Sequence, residues 1–391
     1  MKNLHKRVEK IDLLASEYGL DFYPIEFELC PSDVIHAIGA YGIPTRFNHW
    51  SFGKHFYKMK LQYELNLHKI YELVLNSNPC HAFLLEDTSL VEQTMIVAHV
   101  YAHSDFFKNN IFTCKTDKDI LNTMERNKDT ISRYEERFGS YEVEKLLDAA
   151  MALKNNPQVG EEGILNFICL HSQYLNQWQK DILMILKKEI EYFLPLRDTR
   201  IINEGWATFW HSKIMRLINL SAEEFIQFAQ MQANLLQTNK FFINPYLVGF
   251  KIFAELEKSM GIEALFDVRR NERDFSFVRN YLDESLIENL DLYLYAKKGQ
   301  KWVVVEKNWE KVRDGIINSL INGGHPIVKV VDGNYNNKGE LYLLHCYDKW
   351  ELDQQYLEKT LELLFFLWGK KIHLETVIKD SPAIFTYNGG K

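Results

Sequence analysis

The sequence predicts an α+β protein: a mainly helical amino-terminal domain over residues 1–298, then a small carboxy-terminal α+β sandwich over 299–391. Three observations carry this. Helical periodicity dominates the chain up to roughly residue 290, and from Lys301 the pattern changes to short strands alternating with helices. Apolar and aromatic residues make up 46% of 391, enough for two substantial cores. The formal charge of −7, with no basic run interleaved with aromatics, argues against a nucleic-acid partner. The opening MKNLHKRVEKIDLLASEYGL has no apolar signal region, so a cytoplasmic protein is expected. The most apolar run, 361–368, is far shorter than the roughly 20 residues a membrane span requires, which argues against a membrane partner. The five cysteines are odd in number, scattered and never spaced Cys-x-x-Cys, which excludes a disulfide framework and a thiolate zinc site.

In chain order, GAYGIPTRFNHWSFG (39–53) is irregular, because three glycines and a proline prevent a continuous helix. Arg46 and His49 on this loop are candidate substrate contacts; equally, Phe47 and Trp50 could simply pin the loop to the core. Residues 61–76 read as an amphipathic helix, and 80–86, bearing His81 and Glu86, as an extended run. Asp87-Thr88-Ser89 then supplies N-cap chemistry for an apolar helix over about 90–107. Residues 117–154 are charged and periodic, broken at Gly139-Ser140, and 155–160 read as a mobile loop. A long helix over 170–193 ends at Pro195, Asp198 or Thr199 could cap the next, and Asn244-Pro245-Tyr246 starts another. After an entry linker at 296–300, the order strand, helix, strand, strand, helix, strand (βαββαβ) predicts a ferredoxin-like sandwich.

Candidate chemistry sits on two of the apolar helices. His99 and His103 are four apart, so they lie one turn above each other with Cβ atoms roughly 5–6 Å apart, close enough to share one ion. The ordinary alternative is a pair of satisfied core histidines. Glu204 stands among Trp206, Phe209 and Trp210, where an ionised carboxylate needs a cation, a metal or several donors. His211 is two turns further, a rise of roughly 10.5 Å, which strains joint ligation with Glu204. It is therefore assigned a proton-handling or supporting role, with a helix-terminal imidazole bonded to backbone as the alternative. This donor set suits Zn²⁺ and could also take Fe²⁺ or Mn²⁺.

The pattern of His99 and His103 followed by NEGWATFW resembles the gluzincin metallopeptidases, and that resemblance makes His99, His103 and Glu204 the metal ligands. It also implies that 80–86 is a sheet-edge strand lying against substrate, which brings in His81. Val100 stands where those enzymes carry their general-base glutamate, so Glu86 or His211 would have to handle the proton. A closer match runs through GLDFYPIEFE, AYGIPTRFNHWSFGK, YELVLNSNPCHAFLLE, AHVYAHSDFFKNN, INEGWATFWH, INPYLVG, NGGHPIVKVVD and GELYLLHCYD. On these segments the chain is identified as a member of the stage V sporulation protein R family. The resemblance implies a soluble bacterial protein needed for spore cortex formation, with relatives often encoded near a serine protein kinase. The expectation is a metal-dependent hydrolase-like enzyme acting on a small-molecule or peptide-like substrate, such as a peptidoglycan precursor. The rival is a non-catalytic regulator with a kinase partner, and a third reading is Fe²⁺ oxidative chemistry on the same triad.

Overall fold

The computed structural model describes residues 2–64, 72–154, 156, 163–238, 242–299 and 301–390. The α+β class holds: helices dominate the amino-terminal region, and a four-stranded mixed sheet closes the chain. The chain divides into two compact units, one of Met1–Arg46, Trp50–Met124 and Pro195–Leu320, the other of Phe47–His49, Glu125–Leu194 and Ile321–Lys391. No helix among the described residues is long and apolar enough to cross a membrane.

In the first unit, strand Cys80–Leu85 lies at the centre of a three-stranded sheet. It is parallel to Ile25–Cys30 and antiparallel to Glu72–Leu75. This corrects the expectation that residues 80–86 form a sheet edge. The physical reason is the near-continuous burial of Cys80, Ala82, Phe83, Leu84 and Leu85, which is what a strand covered on both faces requires. The edge position belongs instead to Glu72–Leu75. That strand also replaces the end of the helix expected over 61–76: the helix observed is Trp50–Glu64, and residues 65–71 lie outside the described residues. The irregular segment around Arg46 is correspondingly shorter than expected, since Ser32–Tyr41 is helical and Gly42 ends it in the left-handed region.

Two helices form the heart of this unit. The histidine helix, Leu90–Asn109, starts at Ser89, whose hydroxyl accepts the Glu92 N–H while the Glu92 carboxylate accepts the Ser89 N–H. This capping box satisfies two donors that the helix itself cannot. Almost every side chain from Val91 to Phe107 is buried, as expected of a helix apolar on all sides. The glutamate helix, Arg200–Met215, packs Trp206, Phe209 and Trp210 into the same core with Phe253 and Phe277. Its start differs from expectation. Thr199 makes no capping bond, because its hydroxyl donates back to the Pro195 carbonyl at 2.7 Å. Asp274, opening helix Asp274–Tyr281, instead accepts the Ile202 N–H at 3.0 Å and caps the helix from outside. The preceding helix, Gln177–Asp198, runs one turn past Pro195.

A buried carboxylate ties the two helices together. Asp105 accepts the Trp206 indole N–H at 2.8 Å and the Asp21 backbone N–H at 2.8 Å, and Arg269 stands 3.5 Å away. Helix Pro245–Met260 begins as the sequence predicts, with the Asn244 side chain accepting the N–H groups of Tyr246 and Leu247. It meets the glutamate helix backbone to backbone at Gly205 and Gly249.

In the second unit, Gly139 (φ 90°) separates Ile120–Phe138 from Ser140–Ala152, the break read from the sequence. Of the loop at 155–160, only Asn156 is among the described residues; its side chain bonds both backbone groups of Val328. The sheet has the order Val328–Tyr335, Glu340–His345, Ile372–Ile378, Ser381–Tyr387, and its two middle strands run parallel. Helix Gln354–Trp368 packs on its last two strands. The ferredoxin-like order does not form. Strand Lys301–Glu306 pairs with Leu294–Lys298 in a separate hairpin of the first unit, so Ala296–Lys298 is strand rather than linker; residue 300 lies outside the described residues. The cause is local: the following helix, Trp309–Leu320, buries Val312, Ile316 and Ile317 in the first unit's core and holds its strand there.

Candidate metal centre

The two core helices bring His99, His103 and Glu204 together. One donor atom from each lies within 4.8 Å of the others. Glu204 Oε2 stands 3.4 Å from His99 Nε2 and 3.5 Å from His103 Nε2. These separations are long for hydrogen bonds, which cluster at 2.7–3.2 Å. They fit another geometry: four ligands about 2.0–2.1 Å from one Zn²⁺ in a tetrahedron are about 3.4 Å apart along each edge. The imidazoles meet edge to face, with centroids 4.5 Å apart and planes at 88°, and each has its Nε2 nearest the carboxylate.

The opposite nitrogen of each ring is already held. His103 Nδ1 is 2.9 Å from Asn203 Oδ1, an acceptor, so in the neutral ring this nitrogen carries the proton and Nε2 keeps the lone pair. His99 Nδ1 is 2.9 Å from His211 Nδ1. When His99 ligates through Nε2, its Nδ1–H donates and His211 accepts, which places the second proton of this pair on His211 Nε2. That atom is buried and has no hydrogen-bond partner among the described residues. Fixing the far nitrogen with a second group is the usual way a protein orients a metal-binding imidazole.

The electrostatics follow from burial and from the three titratable groups on each other. Burial pushes the Glu204 carboxyl up, but the adjacent His103 and His99 imidazoles more than offset this and hold it well below the usual carboxylate range. Burial pushes His99 down, reinforced by the neighbouring His103. His103 is pushed down by burial, yet Glu204 and Asn203 carry its net shift upward. His211, fully buried beside two imidazoles, lies well below its ordinary value and is neutral.

Two further groups face the cluster that sequence reasoning did not nominate. Tyr246 stacks on His99 at 6.0 Å, and the Glu204 charge and the surrounding burial raise its phenol well above 10. Glu72, on the edge strand, is raised to about 7 by burial and then by the Glu204 charge. Signals existed for both: Tyr246 closes the Asn-Pro-Tyr helix start, and Glu72 is an acid opening an otherwise apolar Leu-Val-Leu strand.

The remaining sequence candidates have partners of their own. Glu86 is exposed, and among the described residues its side chain has no hydrogen bond or ion pair to the cluster. Arg46 donates to the Tyr41 carbonyl at 3.0 Å and lies over the Phe52 ring. His49, in the second unit, is 3.2 Å from Asp148. His81 faces Glu26 of the neighbouring strand at 3.5 Å.

Fold and centre together define an α+β protein with two buried histidines and a glutamate converging from two core helices. The chain belongs to the SpoVR like protein family, which matches residues 1–161 and 154–325; the SpoVR-like C-terminal domain matches 326–379. It is similar to the uncharacterized protein YcgB of Escherichia coli (strain K12), 28% identical with 73% of this chain and 72% of the relative covered. No solved structure matches it.

Proposed function

We propose that this SpoVR-like protein is a metal-dependent hydrolase-like enzyme that cleaves an amide or peptide-like bond, with a peptidoglycan precursor of the spore cortex as the substrate class. The observation that carries it is the position of Glu204 Oε2, at tetrahedral-edge distance from two imidazole Nε2 atoms whose other nitrogens are occupied. Zn²⁺ is the first choice for this set, and Fe²⁺ or Mn²⁺ would accept the same donors. Such an ion polarises a carbonyl and acidifies a water, and three protein ligands leave one position open for it. The chain's own residues orient the site: Asn203 fixes the His103 tautomer, His211 fixes that of His99, and the Tyr246 ring packs on His99.

The test is metal analysis of protein purified without a histidine tag. About one equivalent of a first-row metal is expected in wild type and far less in His103→Ala. Equal content in both, or none in wild type, overturns the reading. An iron site would show oxygen-sensitive spectra in anaerobic protein, whereas zinc is silent.

One observation favours a second reading. Val100, fully buried and apolar, stands where a gluzincin-like site carries its base. A non-catalytic regulator, with the carboxy-terminal domain holding a serine protein kinase, would tolerate that. Under this reading His99→Ala and Glu204→Ala leave cellular phenotypes intact, and deletion of the carboxy-terminal domain does not.

A further inference from the structure

An amide hydrolase with valine at position 100 still needs a group to take the proton of the attacking water. The two groups nominated from sequence do not reach. His211 meets His99 at Nδ1, the side of the ring away from Nε2 and Glu204. Glu86 is exposed at the end of the central strand. Tyr246 is held as the neutral phenol by the Glu204 charge and by burial, and a neutral phenol is a poor proton acceptor.

Glu72 is placed differently. It opens the edge strand Glu72–Leu75, paired to Leu84 of the central strand, and this short strand packs against the histidine helix. Side chains alternate along a strand, so Glu72 shares a face with Val74. Their cross-strand partners, Leu84 and Ala82, are buried in the same core as the histidine helix, and Val74 packs on that core too, so this face is the one turned toward the histidine helix. Three members of the centre lie within its electrostatic reach: Glu204, His103 and Tyr246. Yet Glu72 is outside the trio whose donor atoms converge within 4.8 Å. A carboxylate beside a ligand set but not part of it is where a base belongs.

We propose that Glu72, from the edge strand, is the catalytic base that replaces the acid missing at position 100. This rests on the metal-dependent reading above. Glu72 takes one proton from the attacking water as its oxygen bonds to the amide carbon and the carbonyl π electrons move to oxygen. When the C–N bond breaks, the same carboxyl returns that proton to the departing nitrogen, so one amide and one water give one acid and one amine.

The test uses the full chain loaded with Co²⁺ and read by its visible absorption, with acetohydroxamate and azide as probes. A hydroxamate gives its hydroxyl proton to a neighbouring carboxylate on binding, and azide has none to give. Wild type and Glu72→Gln are expected to bind the same amount of cobalt and the same azide, while Glu72→Gln binds acetohydroxamate at least about tenfold more weakly, the loss of one charge-assisted hydrogen bond. Glu72→Asp, which keeps the charge on a shorter arm, replaces Glu72→Gln where the latter does not fold; a weaker hydroxamate with unchanged azide is again expected. Unchanged acetohydroxamate binding overturns the proposal. Loss of cobalt from Glu72→Gln also overturns it, since Glu72 is then a ligand. Failure of wild type to take up cobalt is a different result: it removes the metal-dependent reading itself, and the base with it.

Discussion

The sharpest structural prediction concerns Gly205, the residue after Glu204. A Cβ built there would stand 2.4 Å from both Cα and C of Gly249 and 2.9 Å from its carbonyl oxygen. The reverse holds too: a Cβ on Gly249 would stand 2.3 Å from the Ile201 carbonyl oxygen and 2.6 Å from Gly205 Cα. Non-bonded carbons settle at about 3.5–4.0 Å, so Gly205→Ala must force the two helices apart by roughly 1 Å. The obstructing atoms are backbone, and no rotamer change can relieve them. Overpacking of this kind typically costs about 1–3 kcal/mol, and a clash of helix against helix belongs at about 3 kcal/mol or above. Without the contact the sign would be opposite, because alanine is about 0.8–1 kcal/mol better than glycine inside a helix. Urea titration followed by tryptophan fluorescence measures this, since Trp206 and Trp210 are fully buried beside the contact. The displacement also shifts Glu204, the residue before Gly205, so metal affinity should fall with stability. A Gly205→Ala protein as stable as wild type, or more so, would refute the close approach and the packing that sets the Glu204 position.

Two other outcomes follow from the centre. His211→Phe removes the acceptor at 2.9 Å from His99 Nδ1 while leaving a somewhat larger planar ring in its place, so metal affinity should drop about 10- to 100-fold in protein that still folds; equal affinity by competition with a chelating dye would show that His211 does not orient His99. The pH dependence has a definite sign. Despite burial, Glu204 and Asn203 raise His103 above its ordinary 6.5, so a cation must displace its proton below that raised value. Affinity should be flat at higher pH and fall about tenfold per unit below it, with about one proton released per ion at pH 6, read by calorimetry in two buffers. Binding without proton release at pH 6 would count against His103 as a ligand.

Local signals in the sequence placed most helices. Ser89 with Glu92, Asn244 with Pro245, and Gly139 each act within one turn of chain, and each does in the structure what its type predicts. The larger misplacements involve partners distant in sequence. Asp274, not Asp198 or Thr199, caps the glutamate helix, from a residue 72 positions away. The strand Lys301–Glu306 follows its helix into the first core because Val312, Ile316 and Ile317 find apolar neighbours there, and no local pattern reports which core a helix will join. The central strand was the avoidable error: CHAFLL is apolar on both faces, the mark of a strand with neighbours on each side.

The same division between near and far runs through the centre. His99 and His103 announce themselves by helical spacing, and Glu204 by an acid among tryptophans, because each is anomalous in its own local surroundings. Asn203 and Tyr246 are not anomalous; polar groups at a helix start are common, and their value appears only when His103 Nδ1 is found opposite Asn203 and the His99 ring against Tyr246. Glu72 is the instructive case. Its strand occupies the edge only because residues 80–85 take the centre, so mistaking the central strand for an edge also hid the acid that the edge carries toward the histidine helix. The proposed base comes from another element because Val100 on the histidine helix is apolar and buried, whereas the strand packed against that helix opens with Glu72.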